Sequence, residues 1–335
     1  MAETMNARPP VSCRSLAMAL CAMVAAIGPA RAGEVTLLKP LDSISIHSPV
    51  QPVPPGGPFP YTASGPAASW GVVAWDIPGG NLSAFSSVAA GAATLSTSQS
   101  AEASVTVLRA SRGGTAITLS QDGAVLPCLT AGGQPRESDL FLSPNKQTNR
   151  LEIDGYTSAL HANPLTDLRH LYAAATVSYT ATPSAKREIC GVAQGGALIA
   201  VILDNRTAHQ TLFYQLALTT VCGPQPAPRL AFCAKMRSAP WSNFFFTKNP
   251  FGVDDKLPLL GQRFLMPGET RTLHVDLLPR LIGFLRAGPF ALDSDPGHWT
   301  IDSFYAGQHI WGGVKLTTHW SSIQLVADTV GASAK

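Results

Sequence analysis

Residues 197–222, ALIAVILDNRTAHQTLFYQLALTTVC, limit the fold more than any other stretch of the chain. An unbroken apolar run, ALIAVIL, meets the turn pair Asp204-Asn205 and returns as an aromatic-rich segment. That run has no polar alternation, so it predicts a strand covered on both faces, as inside a sandwich.

Shorter segments follow the same grammar. SWGVVAWDIP (69–78), ASVTVLRA (103–110) and LYAAATVSYTA (171–181) read as strands. TAITLSQDGAVLPC (115–128) predicts a hairpin, with Ile117 and Leu119 before an Asp122-Gly123 turn and Val125 after it. The abundance of glycine (29) and proline (27) suits many short strands joined by turns. Residues 80–104, rich in Ala, Ser, Thr and Gly, read as small-residue strands and loops. One helix is predicted near 276–287, in DLLPRLIGFLRAG. Asp276 is its cap, Pro279 sits in its first turn, Leu278, Ile282 and Leu285 share a stripe, and Gly288 ends it.

The expectation is an all-β, antiparallel β-sandwich, jelly-roll-like, with one or two sandwich domains and one short covering helix. Residues 33–69 form a proline-rich arm, since SPVQPVPPGGPFP lacks too many N–H donors for a central strand. The polar stretches 132–139 and 143–149 predict a loop or boundary, dividing a first sandwich region (70–150) from a second (151–335).

Residues 1–32 read as a signal peptide. Arg8 and Arg14 precede the apolar core Leu16–Ile27, and Ala30-Arg31-Ala32 fits a cleavage site before Gly33. The chain is therefore expected to be exported, to an extracellular or periplasmic location. No other segment has the apolar length of a membrane span. The whole chain carries +3; the leader's three arginines and one glutamate account for +2, leaving a mature chain near neutrality. Such a chain has no basic field for phosphate backbones, so nucleic acid is not an expected partner. Four cysteines remain after cleavage, and the expected bridges are Cys222–Cys233 and Cys128–Cys190.

The sequence contains no G-x-S-x-G elbow, H-E-x-x-H, phosphate-binding loop or dinucleotide fingerprint, and no cofactor is expected. Ser143-Pro-Asn-Lys146 matches S-x-x-K only formally and reads as a loop. His298, His309, His319 and Asp302 have no metal-ligand spacing. The acidic stretches at 253–255 and 293–297 lack the pattern of a calcium loop and read as turns.

What remains is HWTIDSFYAGQHIWGGVKLTTHW (298–320). Sugars present C–H faces and hydroxyl rims, so a site for them combines flat rings with planar hydrogen-bonding groups. A turn at Ala306-Gly307 is expected to gather Tyr305, Gln308, His309 and Trp311 at one end of a hairpin, with Trp299 and Asp302 nearby. Alternation predicts Val314, Leu316, Thr318 and Trp320 on a core face, and Lys315, Thr317 and His319 on a polar one. Two further aromatic groups, Trp70–Trp75–Asp76 and Trp241 with Phe244–Phe246, read as a strand-and-turn and a covering loop. The expected function is a secreted, lectin-like carbohydrate-binding protein. The alternatives are an exported polysaccharide-degrading enzyme, either a hydrolase with Asp302 and Asp76 as its carboxylates or a lyase with His309 or Tyr305 as its base, and a non-catalytic envelope or assembly protein.

Overall fold

A computed structural model describes residues 33–41, 43–49, 61–64, 68–75, 82–83, 85–90, 93–99, 103–110, 114–123, 137–144, 155–183, 193–219, 221–222, 243–247, 253–255, 265–287 and 291–330. The strands form two sheets. The eight-stranded sheet holds β1 (Glu34–Thr36), β5 (Ser86–Ala90), β6 (Ala93–Gln99), β7 (Ala103–Ala110), β8 (Thr115–Asp122), β10 (Leu168–Pro183), β16 (Thr270–Asp276) and β18 (Val314–Thr329). The ten-stranded sheet holds β2 (Ile44–Pro49), β3 (Tyr61–Ser64), β4 (Trp70–Trp75), β9 (Glu137–Ser143), β11 (Ala193–Asn205), β12 (Gln210–Ala217), β13 (Val221–Cys222), β14 (Asn243–Thr247), β15 (Val253–Asp255) and β17 (Thr300–Gly312).

The expected all-β sandwich is the observed one. Among the described strands pairing is antiparallel except for β2 beside β4. Successive strands cross between sheets in the jelly-roll manner, with β9, β11 and β17 in one and β10, β16 and β18 in the other. Residue 150 does not divide the sheets: β9 pairs with β17, and β8 with β18. β9 lies between and overlaps the polar stretches 132–139 and 143–149, because Leu140 and Leu142 alternate inward there. The arm contributes the short β1, β2 and β3; its proline-dense stretch 50–60 lies outside the described residues.

β11 and β12 pair from Asn205↔Gln210 outward, as the apolar run and its return predict. Ala197, Ile199, Val201 and Leu203 enter the main core, while Leu198, Ala200 and Ile202 lie in a separate cluster on the opposite face. The buried Val105, Val107, Ile117, Leu119 and Trp320 supply the facing layer, each large apolar side chain stabilising by about 1.5–3 kcal/mol. The predicted Asp122-Gly123 hairpin is not how β8 is paired, since β7 and β18 occupy its two edges.

The helix α1 (Leu278–Arg286) turns Leu278, Leu281 and Leu285 into the core. Ile282, expected in that stripe, is only partly buried; spacing of three then four residues follows the helical repeat more closely. Asp276 lies one position before the capping residue, and its Oδ1 accepts from the N–H groups of Leu278 (3.2 Å) and Leu171 (3.0 Å). It therefore ties the helix start to β10. No helix among the described residues is long and apolar enough to cross a membrane. Gly288, Cys128, Cys190, Cys233 and the side chain of Cys222 lie outside the described residues.

Candidate functional site

The expected hairpin rim does not form. β17 runs without a turn through Ala306-Gly307, and the chain turns at Gly313 to cross to the other sheet. Alternation therefore divides the predicted residues between two faces. Phe304, Ala306 and Ile310 enter the main core, and Gln308 points with them. Tyr305 and His309 lie on the opposite face, turned away from the eight-stranded sheet.

Gln308 is wholly buried and belongs to a polar staple between the sheets. Its amide donates to Gln121 Oε1 (3.0 Å) and to the Leu316 carbonyl (3.2 Å). Thr318 Oγ1 donates to Gln308 Oε1 (2.6 Å) and accepts from Trp320 Nε1 (2.8 Å). Gln121 Nε2 in turn donates to Ser138 Oγ (2.9 Å). Every amide group of Gln308 is used in the core, so it cannot meet a ligand. Trp320 is core, as its alternation predicts, and Lys315, Thr317 and His319 form the expected polar face.

Trp299 is also withdrawn. Its ring is 0% exposed, and Nε1 donates to the Asp293 carbonyl at 2.9 Å. Asp302 occupies a bulge, where Ile202 pairs with Ser303 and Leu203 with Ile301. Ser303 Oγ donates to Asp302 Oδ2 (3.0 Å), and the buried Tyr156 hydroxyl pins the following residue by accepting from Phe304 N–H (2.8 Å). Burial raises the Tyr156 pKa above the ordinary phenol value. The backbone of Trp311 lies between Gln194 and Glu137; its side chain, with Asp76, Trp241 and the side chains of Trp75 and Phe244–Phe246, lies outside the described residues.

Tyr305 and His309 have neighbours that spacing within one segment could not reveal. The Gln215 amide donates to the Tyr305 hydroxyl, and Phe141 meets the Tyr305 ring edge-on at 4.8 Å between centroids. Phe141 stands opposite Gly307, where an added Cβ would come within 2.7 Å of Phe141 Cδ1 and closer still to the Leu140 carbonyl. Gly307 is thus needed for close approach, not for a turn. His309 repeats the device: it pairs with Gly196, whose Cβ would lie 3.6 Å from His309 Nε2 and 2.6 Å from the Thr219 carbonyl. On its other side His309 is paired with Asp139. The half-buried imidazole is neutral, because burial pushes its pKa down to about 4.

Two other clusters suit a ligand less. On the eight-stranded sheet, Tyr172 stacks between His170 (5.2 Å) and His274 (4.6 Å), at 22° and 26°. Their faces cover one another and the row presents edges. At the sandwich end, His298 Nδ1 bonds Asp293 Oδ2 at 2.7 Å, and Asp293 Oδ2 also accepts from Asn205 Nδ2 (2.9 Å). The Asp295 N–H bond, then Asn205 and His298, hold the Asp293 carboxyl down to about 2, while the Asp293 bond raises His298. Asp293 and Asp295 both accept from backbone N–H groups two residues on, the turn role expected for this stretch. His309 and His319 lie on opposite outer faces, so the histidines weighed as a metal group are not brought together.

No protein-family model matches the chain, and no curated protein matches it. Among solved structures, it is similar to endoglucanase 3 of Trichoderma harzianum, from family GH12, at a TM-score of 0.35 and 10% identity over 71% of this chain and 94% of that one.

Proposed function

We propose that the chain is an exported, lectin-like carbohydrate-binding protein that takes its ligand on the outer face of the ten-stranded sheet. The observation that carries this reading is the grouping of Tyr305, Phe141, Gln215, His309 and Asp139 on neighbouring strands β9, β17, β11 and β12. Two of the pairings set a ring against a glycine, which lets the ring lie close on the sheet. Phe141 and Tyr305 are themselves buried, 5% and 9% exposed, so they back the surface, and the partly buried amide of Gln215, imidazole of His309 and carboxylate of Asp139 are the groups that sugar hydroxyls would meet.

Binding to immobilised glycans tests the reading, with wild type compared to Gln215→Ala and Tyr305→Phe. Captured glycan lost on these substitutions supports it. Release of reducing ends from that glycan would move the assignment to a hydrolase acting at the same face.

A further inference from the structure

At the sandwich end, one carboxylate fastens two segments together. Asp293 Oδ2 accepts from Asn205 Nδ2 (2.9 Å) at the β11–β12 turn and bonds His298 Nδ1 (2.7 Å). Its Oδ1 accepts from Asp295 N–H (3.0 Å), and its carbonyl accepts from the Trp299 indole (2.9 Å). Gln210 completes the join, since its amide donates to the Ala291 carbonyl (3.1 Å) and accepts from Asp293 N–H (2.8 Å). Each side contains a non-glycine residue in the left-handed region, His209 at φ 52° and Ala291 at φ 57°. L-residues avoid that region, so the join is closed against local strain. The His298 ring lies between two carboxylates, with Nδ1 on Asp293 and Nε2 3.7 Å from Asp295 Oδ2.

We propose that residues 291–299 form a pH-sensitive clasp on the β11–β12 turn, held closed by the imidazolium of His298 and loosened when its proton leaves. The clasp is independent of any ligand on the sheet face. With the proton present, both ring nitrogens donate and the bond to Asp293 is charge-assisted. Without it, Nδ1–H still reaches Asp293, but unassisted, and Nε2 turns a lone pair toward Asp295. The Asp293 bond, aided by the charges of Asp293 and Asp295, raises the His298 pKa, while the Asp293 carboxyl is held down to about 2. Closure is therefore favoured fully below the ordinary histidine value of about 6.5 and weakens as pH rises through the raised one. Among the described residues, the elements packed against this segment carry six other charged or ionisable side chains. The turn Leu165–Asp167, whose Thr166 lies beside Gly297, carries Asp167, and α1 carries Arg280 and Arg286. The end of β11 and its turn carry Asp204, Arg206 and His209. His209 is the second imidazole there, and a variant separates it from His298.

The test is amide hydrogen exchange on the full chain at about pH 5.5 and about pH 9, on either side of the histidine range, with rates corrected for intrinsic exchange. Wild type, His298→Gln and His209→Gln are compared. The reporters are the N–H groups of Asp293, Asp295, Gly297 and Ala208, which bond within the clasp and its turn. In wild type their protection should fall about two- to fivefold at the higher pH, the scale of an exposed ion pair. The buried Val201 of β11 should show no such fall, and its protection in each variant reports that the sandwich is folded. The loss should vanish in His298→Gln and persist in His209→Gln. Protection at the four reporters that does not change with pH in wild type overturns the proposal. A fall of equal size in His298→Gln, or one abolished by His209→Gln, also overturns it.

Discussion

Gln308 Nε2 donates to Gln121 Oε1 at 3.0 Å, joining the two sheets by an amide–amide bond in the middle of an apolar core. The same Gln308 amide is closed by Leu316 and Thr318, so the staple is satisfied at each end. Replacing Gln308 by alanine or leucine leaves buried partners without bonds, at a cost of about 1–3 kcal/mol. Urea unfolding checks this, and the folded fraction should bind ligand as wild type does. An unchanged midpoint would show that the staple contributes nothing to stability.

Gly307→Ala forces Cβ into the Leu140 carbonyl and the Phe141 ring. The expected loss is about 1–3 kcal/mol, as for overpacking. The backbone part of that clash remains when Phe141 is also replaced by alanine, whereas the ring part is relieved. A double-mutant cycle should therefore find positive coupling of about 0.5 kcal/mol or more between the two positions.

Tyr305→Phe removes the hydroxyl that receives the Gln215 amide and so holds that amide in place for a sugar hydroxyl. Glycan affinity should fall about five- to tenfold, near 1 kcal/mol. The ring contact with Phe141 persists, so the thermal midpoint should move little. Calorimetric titration separates these two effects.

Acid should weaken the fold through His309. Its folded pKa of about 4 lies below the ordinary histidine value, so the unfolded chain binds more protons between the two. The contribution is therefore full above about pH 6.5 and lost progressively as pH falls to about 4, some 2 kcal/mol after allowance for residual exposure. Wild type should lose more stability between these values than His309→Gln. The His298–Asp293 pair has the other sign on its histidine side: His298 is raised, so its contribution is present below its ordinary value and is lost as pH rises through the folded one. Proton NMR titration of the two imidazoles should move them in opposite directions from 6.5.

The sandwich was legible because alternation and turn residues are local signals. Core membership of Trp320 and the polar face at Lys315, Thr317 and His319 followed from period two alone. The site was half legible for a related reason. Tyr305 and His309 share one face of β17, but a turn at Gly307 would set Gln308 beside them, whereas the straight strand turns Gln308 into the core. Whether a glycine bends the chain or admits a ring depends on the strand across from it, here Phe141 of β9. That strand lies more than a hundred and fifty residues upstream, inside a stretch whose polarity resembles a boundary. The alternation of ESDLFLS, which sets Asp139 and Phe141 on one face, was the signal available there.

Affinity for a glycan that the wild type captures, measured for wild type, Gln215→Ala and His298→Gln, tests the central claim most directly. The account predicts binding by wild type, a loss of about fivefold or more in Gln215→Ala, and no change in His298→Gln, which lies at the sandwich end. Equal binding by all three proteins, or a loss confined to His298→Gln, would contradict a ligand seated on the outer face of the ten-stranded sheet.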